Sequence, residues 1–511
     1  MSDGGKFMNT YLAKSLRFLL TLLPLIIGVL ILGISGRAYG RFDLTRDKIY
    51  SLSPVTLEII EQLSDPIEVR YYLSARLEQE VPEVQLIRDL LQEMARANPQ
   101  FLTFRVINPE NDRTQTPEDL GIAPQQYQVV EENEQRITTV YTGLVITYRD
   151  DFMALPLVID PQSLEYEVLR AIKGLTATDT ALRRIGVLFG DSSLAQSSQV
   201  LLSSLDSLAE VSVLSPGEDF PPGLTGLLIF GQRELTGSDF ERISNHMSQG
   251  RSALFAFDYH RVILAQGLEA IEGVSTPGIE FLSSLGVELL PEWVLDTQNR
   301  PIPIQQAQGR VLVSSLEPYD LWPRASGLSG EFGHPTMNRI GGIDLFWASP
   351  LVVSSNGLLD PEGFSPLFSA SQNARIMVPP LTLDPRALPI GDPVIDEPPV
   401  LGISYEGTLG NSGEVRAVFI GDQDVFSDLL QINQSDDNLI FLQNVVEWLL
   451  RDDDLLLIRS KQPRNTSLEI GDSTELRAFW ASVVRILGIV LGPALFIFLG
   501  LFVWLGRRSG A

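Results

Sequence analysis

The chain has 511 residues, 44% of them hydrophobic and 20% charged, a balance that excludes wholesale disorder. Its formal charge of −26 argues against a nucleic-acid partner, which needs a basic face, and against a body lying flat on anionic lipid. Cysteine is absent, which removes disulfides, thiol catalysis and zinc–thiolate sites together.

Two uncharged apolar runs bracket the acidic body. Phe18 to Gly36 lies between Arg17 and Arg37, and Ile486 to Gly506 lies between Arg485 and Arg507. Each is about the ~20 residues that a helix needs to cross a bilayer. The sequence therefore predicts two membrane-spanning helices, with roughly 450 residues of soluble structure between them, enough for two or three domains. Lys6, Lys14 and Arg17 precede the first run, and Arg507 and Arg508 follow the second. By the positive-inside rule both termini are expected in the cytoplasm, in a two-pass bacterial inner-membrane protein whose bulk is extracytoplasmic. Arg37, Arg41 and Arg46 weaken that reading at the first run. A cleaved signal peptide ending near Ala38-Tyr39-Gly40 is the rival reading, although the run exceeds the usual 7–15-residue signal core.

After the first run, Ser53 followed by Pro54 marks a helix start, with Val55, Ile59 and Leu63 on one face. Ile67, Val69 and Tyr71 alternate with Glu68, Arg70 and Tyr72 as in a half-buried strand. Pro82 opens a second helix with the stripe Val84, Ile87, Leu91 and Met94, and Leu102, Phe104 and Val106 alternate again. Val140 to Tyr148 and Phe152 to Val158 read as a hairpin turning at Arg149-Asp150-Asp151, followed by a helix from about Leu164 to Lys173. The order βαβ, hairpin, helix resembles a thioredoxin-like domain without its Cys-x-x-Cys.

A second α/β region begins at Arg184. Ile185 to Phe189 is a buried-strand run ending in Gly190-Asp191, and Val211 to Leu214, Leu227 to Phe230 and Ala253 to Phe257 are further strands. Helices are expected across Val200 to Leu208 and from about Ser238 to Gln249, the latter stopping at Gly250. This alternation predicts a larger doubly wound, mostly parallel sheet. Pro291 to about Pro399 reads as loose, with seven prolines between Pro379 and Pro399. Val415 to Ile420 returns as a strand into Gly421-Asp422-Gln423-Asp424, and a helix follows around Leu439 to Leu450. The expected fold class is thus α/β, with two spanning helices flanking a thioredoxin-like domain and a doubly wound, Rossmann- or flavodoxin-like domain. The expected segments are 1–40, 41–180, 181–450, a linker at 451–480 and 481–511.

The chain has no P-loop, no Gly-x-Gly-x-x-Gly after a strand, no His-Glu-x-x-His and no Gly-x-Ser-x-Gly. Its three histidines, His246, His260 and His334, are scattered. No catalytic residue, cofactor or metal site is expected. Asp258, Asp422 and Asp424 are the candidate ligand residues, because each ends an apolar strand where doubly wound folds place ligands. Their bland alternative is turn capping. Asp452-Asp453-Asp454 reads as a solvated face. Tyr71, Tyr72, Trp293, Trp322 and Trp347 could line a sugar or peptide cleft, but core packing is the expected role for most of them.

Arg41-Phe42-Asp43-Leu44-Thr45…Lys48-Ile49-Tyr50-Ser51-Leu52-Ser53 resembles the opening signature of the gliding-motility-type (GldG-like) ABC transporter auxiliary proteins. Pro66-Ile67-Glu68-Val69, Tyr141-Thr142-Gly143-Leu144-Val145-Ile146 and Gly421-Asp422-Gln423-Asp424, with Asn444 and Trp448 downstream, extend the resemblance. It implies an extracytoplasmic α/β protein, with a central domain similar to one in intraflagellar transport proteins, that accompanies an ABC permease and a separate ATPase. The family brings no established catalytic residues, and its gliding role belongs to particular members. The expected function is a non-catalytic auxiliary subunit of an ABC transporter. The alternatives are a membrane-anchored acidic-residue hydrolase or carbohydrate-active enzyme, or an envelope or motility scaffold without transport. Expected permease contacts are Arg41, Asp43, Leu44, Lys48 and Tyr50 just outside the first run, and Gly488 and Gly492 in the second, whose Gly-x-x-x-Gly spacing permits close helix approach.

Overall fold

The computed structural model describes residues 51–460, apart from 111–115, 132–133, 177–182, 207, 264–267, 309–310, 328–332, 389–396, 410–412 and 434–435. The chain divides into two compact units, up to Glu165 and from Tyr166 onward.

In the first unit, helix α1 (Pro54–Glu61) starts where expected: the Ser53 hydroxyl accepts from the Thr56 amide, and proline occupies the first turn. Its buried face differs by one residue from the sequence reading, carrying Thr56 and Ile60 in place of Val55 and Ile59. The cause is polar. Thr56 is turned inward to donate its hydroxyl to Glu165, which also accepts from the Ser53 amide at 2.6 Å. Strand β1 (Ile67–Leu73), helix α2 (Ala75–Glu80), helix α3 (Pro82–Ala97) and strand β2 (Leu102–Ile107) form the βαβ unit. The α3 stripe of Val84, Ile87, Leu90, Leu91 and Met94 is buried. A hairpin absent from the sequence reading follows, β3 (Gln125–Glu131) with β4 (Glu134–Val140). The expected hairpin is β5 (Thr142–Tyr148) with β6 (Asp151–Leu155), turning through Arg149 at φ +54°. The sheet order is β2-β1-β5-β6, with β1 and β2 parallel and β5 antiparallel to β1. Helix α4 (Pro161–Thr176) carries the boundary between the units.

The second unit is built on one ten-stranded sheet. Its first half alternates as expected: β7 (Arg184–Phe189), α5 (Ser192–Gln196), α6 (Gln199–Asp206), β8 (Glu210–Leu214), β9 (Gly226–Phe230), α7 (Gly237–Ser248) and β10 (Ser252–Ala256). Next come a small hairpin, β11 (Arg261–Ile263) with β12 (Glu269–Ile271), and helix α8 (Pro277–Leu285). The following strands are β13 (Val287–Leu289), β14 (Trp293–Leu295), β15 (Asn299–Gln308), β16 (Val311–Gly327), β17 (Ile343–Asp344), β18 (Leu351–Val353), β19 (Phe364–Ser369), β20 (Arg375–Met377), β21 (Val400–Thr408) and β22 (Glu414–Ile420). Helices α9 (Leu430–Asn433), α10 (Asp437–Leu449) and α11 (Asp453–Ser460) close the unit.

The main sheet runs β15-β16-β19-β21-β22-β10-β9-β7-β8, with β17 as a tenth strand paired to β16. From β8 to β22 every pairing is parallel, and from β22 to β15 every pairing is antiparallel. In the parallel half, period-two alternation sends successive residues to opposite faces. Ile185, Val187, Leu228, Phe230, Leu254 and Val418 face α6 and α10, while Leu188, Leu227, Ile229, Phe255 and Phe419 face α7 and α8.

Two expectations are corrected. The sheet is mixed rather than mostly parallel, because the stretch read as loose supplies the long β15–β16 hairpin and β19. Pro301, Pro303, Pro318 and Pro323 lie within that hairpin, which the rule against proline in central strands hides from sequence reading. The fold class with two flanking spans, and the two-pass inner-membrane localisation built on it, are likewise corrected. Among the described residues no helix is long and apolar enough to cross a membrane. The longest, α3 and α4, have 16 residues each, below the ~20 a span requires. The apolar runs at 18–36 and 486–506 lie outside the described residues.

A carboxylate crevice at the strand ends as the candidate functional site

Four parallel strands deliver their carboxyl ends to one crevice. Strand β7 ends in Gly190-Asp191, β9 in Gly231-Gln232-Arg233, β10 in Phe257-Asp258, and β22 in Gly421-Asp422-Gln423-Asp424. In open α/β sheets this is the edge where ligands bind. The backbone is tight here. The Gly190 amide donates to Phe230 O (2.8 Å), Gly231 to Ala256 O (2.9 Å), and Phe257 to Ile420 O (3.1 Å). Gly231 has φ +70°, and a Cβ there would stand 2.9 Å from Leu194 and 3.1 Å from the Gln423 Oε1.

Asp258, Asp422 and Asp424, singled out from sequence by their place at strand ends alone, are brought together. Asp258 Oδ1 accepts the Gln423 amide at 2.8 Å. Asp422 accepts the Phe346 amide on Oδ2 and the Asp424 amide on Oδ1, both at 2.7 Å. Asp258 and Asp422 are buried, and Asp424 is half-buried. Burial pushes the Asp258 and Asp422 carboxyls well above the usual carboxylate range, and the neighbouring acids push the same way. Enclosure, with Asp191 nearby, raises Asp424 to about 7.

Asp191 belongs to the same crevice and was not among the sequence candidates. Its signal was present, an apolar run closing in Gly-Asp, as at Gly421-Asp422. Asp191 Oδ1 accepts the Ser193 amide (3.0 Å) and hydroxyl (2.6 Å), so it caps α5. Arg261 approaches its other oxygen at 4.0 Å. Gln232 and Arg233 carried no sequence signal. Gln232 Nε2 donates to Asp258 O at 2.6 Å, while its buried Oε1 has no partner among the described residues. The same holds for Gln423 Oε1 and for Nε and Nη2 of Arg233. The Arg233 guanidinium faces Asp258 and Asp191, and burial works against its charge.

The chemistry open to this arrangement is limited. Both carboxyl oxygens of Asp422 and one of Asp258 accept backbone amides, from Phe346, Asp424 and Gln423, so these side chains stitch the strand-end loops to their neighbours. Among the described residues no group of three or more His, Asp or Glu side chains is arranged to hold a metal ion. What remains is a niche of acceptors, Gln232 Oε1 and Gln423 Oε1, beside one arginine.

Sequence comparison now becomes informative. Residues 182–445 match a family described as an ABC-type uncharacterized transport system, and they contain the crevice and both faces of the parallel half-sheet. The chain belongs to this family. Its role is an ABC-associated auxiliary one; the match specifies the transport family and not the gliding-motility subgroup. Residues 46–147, most of the first unit, match a domain of unknown function. An uncharacterized protein of Borreliella burgdorferi is 21% identical over 491 residues, covering 92% of this chain and 94% of its own length. Among solved structures, PurLQS of Thermotoga maritima is 11% identical with a TM-score of 0.25, over 52% of this chain and 99% of its own. A glutamine amidotransferase of Thermotoga maritima is 10% identical with a TM-score of 0.24, over 55% of this chain and 99% of its own. Likeness at these scores carries nothing about function.

The remaining residues of the sequence reading fall elsewhere. Arg41, Asp43, Leu44, Lys48, Tyr50, Gly488 and Gly492 lie outside the described residues. Trp293, Trp322 and Trp347 are buried together in one core cluster, and Tyr71 is buried with its hydroxyl 2.9 Å from Thr142. Asn444 donates to the carbonyls of Thr336 (3.0 Å) and Asn338 (2.9 Å). Trp448 lies under the Arg416 guanidinium, 5.2 Å from its ring centroid. Both residues of the downstream motif are therefore core fasteners.

Proposed function

We propose that the protein is a non-catalytic auxiliary subunit of an ABC transporter, working with a separate permease and a separate ATPase. The observation that carries this reading is the family match over 182–445, which spans the sheet and its crevice. The chemistry of the crevice is in keeping with it. Asp422 gives both of its oxygens and Asp258 one to backbone amides, and burial favours their neutral forms, whereas a general acid–base pair needs carboxyls that face a substrate. Transport energy would then come from the ATPase partner, since this sequence contains no P-loop. The test is affinity purification of the tagged full chain from its native cells in mild detergent, followed by mass spectrometry. The expected result is copurification of one ABC permease and one ATPase in constant ratio. Asp258→Asn and Asp422→Asn variants that remain folded should copurify the same partners.

A further inference from the structure

The second unit carries a groove of about 380 Å³ lined by β18, by the residues that follow β13 and by those that lead into β21, with none of the carboxylate crevice in its lining. Leu290, Val352, Val353 and Pro399 give it an apolar wall, and Glu292 and Glu397 add two carboxylates. That volume is at the small end of the ~300–1,000 Å³ typical of binding pockets.

The backbone along the groove is an unused strand edge. Among the described residues strand β18 pairs only with β13, antiparallel, with Val352 opposite Glu288. The Leu290 amide donates to Pro350 O (3.0 Å) and the Ser354 amide to Gly286 O (2.9 Å), which makes 290/350 and 286/354 the hydrogen-bonded pairs. Alternation along an antiparallel ladder then gives 288/352 the same character, and turns the amides and carbonyls of Leu351 and Val353 toward the opposite edge. No partner for those groups is found among the described residues. Of the two residues whose backbone groups face that edge, Val353 is 38% exposed and Leu351 is buried, so the edge is open at its Val353 end. Neither Glu292 nor Glu397 has a side-chain hydrogen bond or ion pair among the described residues.

We propose that this groove binds an extended, cationic segment of a partner polypeptide, which adds a strand to the free edge of β18. The edge supplies main-chain donors and acceptors, the valines and proline take small apolar side chains, and the carboxylates of Glu292 and Glu397 select lysine or arginine. An acidic body of charge −26 favours approach of such a segment. The proposal rests on the geometry of the second unit and not on the transporter reading.

The experiment uses the purified full chain and a fluorescein-labelled probe, acetyl-Thr-Val-Lys-Val-Lys-Val-Thr-amide, followed by fluorescence polarisation. Two control peptides carry glutamate in place of both lysines, or N-methyl groups on alternate backbone nitrogens. The lysine peptide should bind at least about tenfold more tightly than either control. Val353→Pro removes one groove-facing N–H while leaving the β13 pairing intact, because proline is tolerated at an edge whose N–H points away from its neighbour. It should weaken the lysine peptide roughly fivefold, as loss of one main-chain hydrogen bond does. Glu397→Lys should abolish the preference for lysine over glutamate. If Val353→Pro fails to fold, the Glu397→Lys variant and the N-methyl peptide decide the matter. Equal binding of the lysine and glutamate peptides, no binding at about 1 mM, or a dimer of the chain that occupies the groove would each overturn the proposal. None of those outcomes bears on copurification with a permease.

Discussion

Replacing Arg459 by alanine removes the cation that faces Glu447 in the interior of the second unit. The two side chains are 4% and 1% exposed, and Arg459 Nη2 lies 3.1 Å from Glu447 Oε1. Tyr166 donates its hydroxyl to the same oxygen, and Oε2 has no partner among the described residues. Arg459 also donates to Asn444 Oδ1 at 3.0 Å and stacks over the Tyr166 ring at 4.1 Å. Burial already pushes the Glu447 carboxyl up, and Arg459 is the main influence holding it down. Removing one partner of such a pair leaves an uncompensated buried charge, at a cost of about 3–5 kcal/mol. Neutralising the acid relieves most of that cost, so Glu447→Gln combined with Arg459→Ala should be less destabilised than the sum of the singles by roughly 2 kcal/mol. Guanidinium chloride unfolding followed by tryptophan fluorescence reads the effect, since Trp448 lies one turn from Asn444. A cost below about 1 kcal/mol for Arg459→Ala, or strict additivity in the double variant, would falsify the assignment of this pair as a fastener.

Three further outcomes follow from buried groups. Asp424 titrates near 7 in the folded chain against a usual value of 3.8, so the folded form holds its proton more tightly; stability should fall as pH rises from 4 to about 7. Asp424→Asn should flatten that decline by roughly 2–3 kcal/mol between pH 5 and 8, read by denaturant titration at each pH, and an unchanged slope contradicts the burial argument. His334 has the opposite sign: burial lowers it to about 4, so its contribution is full above 6.5 and is lost as pH falls toward 4. His334→Asn should reduce acid sensitivity in that window, and thermal melts at pH 4.5 and 7 measure it. Gly421→Ala places a Cβ 1.9 Å from the Ser349 carbonyl oxygen, which already accepts no slack because the Ser349 amide donates to Gly421 O at 2.7 Å. It should cost at least about 2 kcal/mol, and a melting temperature unchanged from the parent would contradict the close approach of these segments.

The parallel half of the second unit was legible because its strands are short apolar runs, those of β7, β10 and β22 leading into Gly-Asp or aspartate, separated by helical segments. The same pattern marked Asp258, Asp422 and Asp424 singly as strand-end residues, and parallel strands put all their carboxyl ends on one edge. Asp191 shows the pattern too, as the residue that closes β7 in Gly190-Asp191 and caps α5. Gln232 and Arg233 could not have been found, as an amide and an arginine after a strand have no distinguishing spacing. The antiparallel half was hidden by its own composition. Pro301, Pro303, Pro318 and Pro323 argue for loop, yet an outermost hairpin tolerates them because its ladder has a free side. In α1 the helix was read correctly and its face was not, because Thr56 is drawn inward by Glu165, 109 residues away in sequence. Apolar periodicity carries no trace of such a polar contact.

The central claim, that the chain is an auxiliary component acting beside a permease and an ATPase, is tested most directly by crosslinking and affinity purification of the tagged full chain from cells in which it is made at its natural level. One ABC permease and one ATPase should be recovered in fixed ratio, and the purified chain alone should hydrolyse neither ATP nor glycosides. Recovery of the chain without any transporter component, or a hydrolytic turnover abolished in a folded Asp422→Asn variant, would contradict it.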